Sequence, residues 1–574
     1  MISRKHRKHK KKHTINNPNS KICQQSKQSI KSITSDKILS SYTKYLSLVV
    51  NKFINNANHK HILETIFTIK DKLAGQKNGK YKFGMKQSPN DFELDETLKI
   101  PNFIELFQYL MSIPTFNKHF TKEEINSFQS VVSSPIHIGH QNKQQIYDYL
   151  HHNPIGAKIA DTYYKEYYNL NLSSNLNSNR GGNMGGNMGG NMGGNMGGNM
   201  GGNMGGNMGG NMGGNMGGTL ESKFPSIKFH QLLINSFTSY KILEDIEKNM
   251  TSLSIGSLEY NKNNHKNKYD NLLYIFSNAN GKTEEIQKIE EIDKIGDKII
   301  QRLLFFNEFL GTDKLPHKLI IFLTNQEKEI DDALEHKAHF RSLNVNTAVT
   351  NGQDIIIYRE QELLKSVFHE LIHFHQLDFR TIPPNSEKVI LDYLKKTHNI
   401  APNNEYLLYE CITESLANIL NNIYSRDTRN FNSNLNLKHF KANFIDELLF
   451  STFQVAKILR ICNYNSWAEF ALLDSNSFAK HNTAKQFKQD SCVFSYYILK
   501  LYILLNIDEY WSTILDNHLK FIPNENNFNK LIGIFEKGRK DIHLAKMINS
   551  LLEGHKTNKI HTKIQKTLRM TCVE

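Results

Sequence analysis

The chain has 574 residues, enough for two or three domains with their own cores, and a formal net charge of +15. Its five cysteines, Cys23, Cys411, Cys462, Cys492 and Cys572, are scattered without a CxxC pair, which argues against a disulfide framework or a thiolate metal site and for a reducing, intracellular compartment. No apolar leader opens the chain, and the longest apolar stretch, Tyr496 to Ile507, is short and carries Lys500, so a soluble protein with no signal peptide and no membrane span is expected.

Residues 1–13, MISRKHRKHKKKH, hold seven of the lysines and arginines. Such a block is too charged to fold and binds polyanions in a salt-sensitive way, so a weak nucleic-acid contact is one expectation for it and a solvated tail the other. Without it the net charge is +8, too little to argue for a dedicated nucleic-acid groove. A disordered basic tail is expected over residues 1–35. Residues 36–172 have a mainly helical pattern, as in Ile62 to Leu73 and Phe103 to Met111, with turn signals such as Asn78-Gly79. That stretch has no chemical motif, and His151-His152 lack ligand spacing, so it reads as a helical binding or regulatory domain.

From Gly181 to Met216 the tetrapeptide Gly-Gly-Asn-Met repeats nine times. Two glycines in four leave no apolar face to bury and much entropy to lose, so residues 173–219 are expected to be a flexible linker. Thioethers without Cys or His are weak ligands, and slippage of a short repeat explains the methionines better than metal binding does. The remaining domain, 220–574, holds the chemistry.

Two apolar runs there, Leu319 to Leu323 and Ile355 to Tyr358, read as strands, the second preceded by Asn346 to Val349 and the turn signal Asn351-Gly352. In Glu360 to Gln376 the apolar residues Leu363, Leu364, Val367, Leu371 and Ile372 recur at spacings of three and four, predicting a buried amphipathic helix. This helix carries His369-Glu370-Leu371-Ile372-His373. Composition alone yields on the order of 0.06 such pentapeptides per chain of this make-up, so the motif stands on its context of sheet and helix. Four residues advance a helix by just over one turn, so His369 and His373 can close on one zinc ion while Glu370 acts as general base. Asp378, five residues past His373, lies about 140° around a continuous helix and reads as a solvated or capping residue. His375 faces another side and reads as structural. Tyr406 to Leu420 predicts a second helix with Glu410 and Glu414 on one face.

These residues resemble the gluzincin zinc peptidases, in which HExxH is followed on a later helix by a glutamate ligand and, four residues on, by an acidic residue that orients the first histidine. The stretch Glu410-Cys411-Ile412-Thr413-Glu414-Ser415-Leu416-Ala417 is similar to the third-ligand helix of lethal-factor-type peptidases, and the 36 residues between HELIH and Glu410 are similar to the spacing in clostridial neurotoxin light chains. The resemblance covers roughly residues 316–422. It implies one Zn2+ per chain held by His369, His373 and Glu410, with Glu414 behind His369. Glu414-Ser415-Leu416-Ala417 also resembles the Glu-Gly-Phe-Ala of aminopeptidase-N-type enzymes, which would make Glu414 the ligand instead. The metzincin pattern is excluded, since its Gly and His positions hold Gln376 and Phe379, and a deformylase-type upstream cysteine ligand is available only as distant Cys23.

The fold implied is α+β: a zincin-like catalytic domain with a small mixed sheet, the HExxH helix and a mostly helical C-terminal lobe, preceded by a mainly α-helical domain. The activity implied is metalloendopeptidase, since no Gly-x-Met-Glu-Asn exopeptidase signature occurs and the substrate is then a protein or peptide. A tyrosine for the oxyanion is sought among Tyr406, Tyr409, Tyr496 and Tyr497, and an edge strand for the substrate over Asn344 to Val349. The alternative is a non-catalytic, virion-associated binding protein with a degenerate peptidase fold and a nucleic-acid-binding tail. The Asn-, Lys- and Ile-rich composition is similar to coding in AT-rich genomes such as those of large DNA viruses of the mimivirus type.

Overall fold

The computed structural model describes residues 18–75, 81–82, 120–132, 149, 153–156, 158–159, 238–249, 252–262, 265–277, 282–331, 333, 339–351, 353–379, 384–401, 406–425, 433–473, 486–557 and 563–573. The basic residues 1–13, the Gly-Gly-Asn-Met tract and the expected helix Phe103 to Met111 lie outside them. The described part is mixed α and β, mostly helical, with a six-stranded mixed sheet and a separate two-stranded one.

Three helices open it: α1 (Pro18–Ile33), α2 (Asp36–Asn55) and α3 (Ala57–Gly75). Ser35 caps α2 by accepting from the Ile38 amide, and Tyr42, Leu46, Val50 and Phe53 form its buried stripe at helical spacing. The tail expected over 1–35 is therefore helical from residue 18, because Ile30 and Ile33 have apolar partners in the C-terminal half to bury against. After strand β1 (Tyr81–Lys82) come α4 (Lys122–Val132) and α5 (Tyr240–Asn249), and then the long hairpin of β2 (Ser252–Lys262) and β3 (His265–Ser277).

Helix α6 (Lys282–Leu310) leads to β4 (Lys318–Phe322), β5 (His339–Phe340), α7 (Ser342–Val345), β6 (Ala348–Asn351) and β7 (Asp354–Ile357). The sheet order is β1-β2-β3-β4-β7-β6, with β3, β4 and β7 parallel and β6 antiparallel at one edge. Central β4 and β7 are covered on both faces, which is why they read as unbroken runs of Ile and Leu rather than as alternating patterns. The edge strand expected over Asn344 to Val349 falls later, at Ala348–Asn351. The Asn344 side chain instead closes a helical turn by accepting from the Arg341 amide at 2.7 Å.

Helices α8 (Leu363–His375), α9 (Pro384–Thr397), α10 (Tyr409–Tyr424), α11 (Ser433–Ile461) and α12 (Trp467–Phe470) follow, then β8 (Lys488–Gln489). A π-helical turn at Phe494–Leu499 runs into α13 (Lys500–Leu505), and α14 (Ile507–Thr513), α15 (Glu525–Arg539), α16 (Ile542–Thr557) and α17 (Lys563–Lys566) complete the order. Helix α10 is buried all round, so its polar residues are buried with the rest and take hydrogen-bond partners inside, as Asn418 Nδ2 does on the Glu414 carboxylate and Asn421 Nδ2 on the Val573 carbonyl.

The boundary expected between 36–172 and 220–574 does not separate two cores at α2 and α3. The Tyr42 hydroxyl meets Thr452 Oγ1 at 2.8 Å and Lys70 Nζ donates to the Ile423 carbonyl at 2.8 Å, and apolar residues of α1 to α3 share one continuous core with α8, α10, α11 and α16. Residues 568–573 form a buried irregular segment against the same core. No helix among the described residues is long and apolar enough to cross a membrane.

Candidate metal centre

Helix α8 begins and ends on left-handed residues, Glu362 with φ 62° and Gln376 with φ 57°. Each non-glycine residue in that region costs roughly 1–2 kcal/mol, so both need compensation. At Glu362 the carboxylate accepts from the amides of Met570 and Thr571, each at 2.6 Å, and from Lys328 Nζ at 2.6 Å. At Gln376 the reversal closes the helix on the carbonyls of His373 and Ile372 and turns the chain back.

That reversal corrects the reading of Asp378. A continuous helix would carry it away, but the helix stops at His375 and Asp378 returns, buried, with Oδ2 2.8 Å from His373 Nδ1. On the other side, Glu414 Oε2 lies 3.0 Å from His369 Nδ1. Both imidazoles thus donate Nδ1–H to a carboxylate, which leaves their Nε2 lone pairs to converge with Glu410. His369 Nε2 is 3.1 Å from His373 Nε2 and 3.1 Å from Glu410 Oε2, and His373 Nε2 is 3.5 Å from that same oxygen. Tetrahedral ligands at 2.0 to 2.1 Å from zinc stand about 3.3 Å apart. Three electron-pair donors facing one another in a buried space repel unless a cation lies among them, and His369, His373 and Glu410 form a group that can hold a metal ion.

The two glutamates of α10 are thereby told apart. Glu414 has its oxygens committed to His369, to Lys365 Nζ at 2.9 and 2.8 Å and to Asn418 Nδ2 at 3.0 Å. Glu410 Oε2 has no hydrogen-bond partner and faces the Nε2 atoms of the two imidazoles. Burial opposes ionisation of Glu410, but His373 and His369 outweigh it and hold the carboxyl at about 2. Glu414 is likewise held well below the usual range against its burial, chiefly by Lys365.

Glu370 points to the side of the edge strand. Its Oε2 accepts from Thr350 Oγ1 at 2.7 Å, and burial raises its carboxyl above the ordinary range against the pull of the two histidines. A carboxyl raised by burial is a stronger proton acceptor than an ordinary one. Thr350 carries no motif and its role was not legible in the sequence. The only signal was its place beside the turn Asn351-Gly352, one strand removed from the HExxH helix.

The tyrosines separate by position. The Tyr496 ring, on the π-helical turn, lies 6.0 Å from the His369 ring, and the Tyr409 ring lies 5.8 Å from that of His373. Tyr406 donates to the Ala401 carbonyl at 3.3 Å and packs on Phe494, so it serves packing rather than the site. Tyr497 is also withdrawn, since its hydroxyl donates to the Leu568 carbonyl. His375 stacks on Phe306 at 5.1 Å, and burial lowers its imidazole to about 4, in keeping with a structural role. All five cysteines are free thiols.

Compared with known proteins, the chain matches no family model, no curated protein and no solved structure.

Proposed function

We propose that this chain is a zinc-dependent metalloendopeptidase of gluzincin type, with a zincin-like catalytic domain. The observation that carries the reading is the convergence of His369 Nε2, His373 Nε2 and Glu410 Oε2, each imidazole fixed from behind by a buried carboxylate, with Glu370 beside them. Zinc, when bound, supplies a Lewis acid that makes a water acidic near pH 7 and polarises a carbonyl. Glu370 takes the proton of the attacking water and delivers it to the leaving amine nitrogen as the peptide C–N bond breaks. Thr350 holds that carboxylate by one of its oxygens and leaves the other for the water.

Tyr496, whose ring adjoins His369, would donate its hydroxyl hydrogen to the substrate oxygen as it gains charge. A π-helical turn is a costly local geometry that recurs at functional sites, and here it is what sets the Tyr496 ring against His369. Strand β6 is the edge of the sheet next to the site among the described residues, and an extended peptide can add to it through main-chain hydrogen bonds.

Elemental analysis of the purified chain tests the reading together with casein cleavage. One zinc per chain is expected, lost in Glu410→Ala, with cleavage abolished in Glu370→Gln while zinc is retained. A folded wild type that takes up no zinc when it is supplied would sink the proposal and leave a binding protein.

A further inference from the structure

Behind the metal centre lies a cluster of buried charges that no ligand motif predicts. Lys365 is 2% exposed and stands four residues before His369 on α8, so one helix carries both. Its ammonium bonds both oxygens of the wholly buried Glu414, at 2.9 and 2.8 Å, and touches Met570 Sδ at 3.5 Å. Glu414 Oε2 in turn bonds His369 Nδ1. Lys365 is itself backed by the buried segment 568–573. Met570 and Thr571 donate their amides to Glu362, and Lys500 Nζ donates to the Met570 carbonyl at 2.8 Å.

The side chains of Lys328, Lys365 and Lys500 stand with those of Glu362, Glu414 and Glu447 in one region, all nearly out of solvent. Burying so many ions only breaks even when each is paired and hydrogen-bonded, so such clusters are poor stabilisers. What they provide is fixed geometry. A carboxylate gripped through both oxygens cannot rotate, and the imidazole hydrogen-bonded to it keeps its ring plane and its tautomer.

We propose that Lys365 is a positioning residue of the metal centre, acting through Glu414 to aim the His369 lone pair, with residues 568–573 as its seat. This rests on the zinc-binding reading above. A lysine serving only to neutralise Glu414 would affect folding and leave the metal's surroundings alone, so the test reads the metal directly.

The full chain is titrated with Zn2+ against a chromophoric chelator, and with Co2+ to record its visible absorption bands, as wild type, Lys365→Met, Lys365→Gln, Glu414→Gln and Lys365→Met/Glu414→Gln. Lys365→Met is expected to bind zinc roughly 10- to 100-fold more weakly, with displaced Co2+ bands. The double variant is expected to bind no more weakly than Glu414→Gln alone, because the lysine acts through that carboxylate. Lys365→Gln keeps a hydrogen-bond donor without the charge and carries the test if Lys365→Met does not fold. Zinc affinity within twofold of wild type and unmoved Co2+ bands in a folded Lys365 variant would overturn the proposal, as would a double variant whose loss is the product of the two single losses. A wild type that binds no zinc at all would instead refute the metal site itself.

Discussion

Glu370 shows how much a single residue's chemistry depends on neighbours far off in sequence. Its burial raises the carboxyl, and Thr350, twenty residues earlier, decides where its oxygens point. Thr350→Val keeps the shape and removes the hydroxyl, so the base is expected to swing free. Casein-type substrates should then show kcat lowered about tenfold with KM and zinc content unchanged, and Thr350→Ser should restore most of the rate. Asp378 has the same relation to His373. Asp378→Asn is expected to weaken zinc binding by roughly 10- to 100-fold in a chelator competition, with all three proposed ligands retained. The spacing of His369, Glu370 and His373 made them legible as a site in the sequence, because one helix presents all three. Asp378 and Thr350 were not legible as partners, since a broken helix and an edge strand bring them in.

At the scale of elements, glycines report how tightly helices are pressed together. A Cβ built on Gly554 of α16 would lie 1.8 Å from the Ile33 carbonyl oxygen at the end of α1, an overlap only backbone movement relieves. Gly533 of α15 has nothing within 4 Å of such a Cβ. Gly554→Ala is therefore expected to destabilise the chain by several kcal/mol in denaturant titration as α1 is pushed off, whereas Gly533→Ala should stabilise it by about 0.5–1 kcal/mol through helix propensity. Equal effects of the two substitutions would show that α1 is not docked there. Helices α3 and α8 could be read from their apolar periodicity, and strands β4 and β7 from their unbroken apolar runs. The docking of α1 to α3 on the C-terminal half could not, because an amphipathic stripe shows that a face is covered and is silent about which helix covers it.

For the molecule as a whole, acid stability is set in part by histidines that fold uncharged. His398 is fully buried, bonded to Tyr502 at 2.9 Å and to Thr397 at 3.0 Å, and burial lowers its imidazole to about 3. Below its ordinary pKa near 6.5 the unfolded chain takes up a proton that the folded chain refuses. Stability is then lost as pH falls, by about 1.4 kcal/mol per pH unit from this group alone, until the folded pKa near 3 is reached. Unfolding free energies measured from pH 7 to 5 should fall with that added slope, and His398→Gln should remove about one proton's worth of it. An unchanged slope in a folded His398→Gln would show that the group titrates normally.

The sequence by itself determined which residues can do chemistry and on which local elements they ride: HELIH on an amphipathic helix, two glutamates on a second helix, and two apolar strands before them. Those are properties of period and spacing, which neighbours along the chain decide. Tertiary structure alone separated the positions of Glu410 and Glu414, because only packing places one carboxylate against the imidazole Nε2 atoms and the other against Nδ1 and Lys365. It also singled out Tyr496 and Tyr409 as the tyrosines whose rings adjoin the two histidines, and brought residues 568–573 behind the site. Contacts between residues hundreds apart leave no periodic trace in a single sequence, since they depend on which buried surfaces meet once the elements have formed.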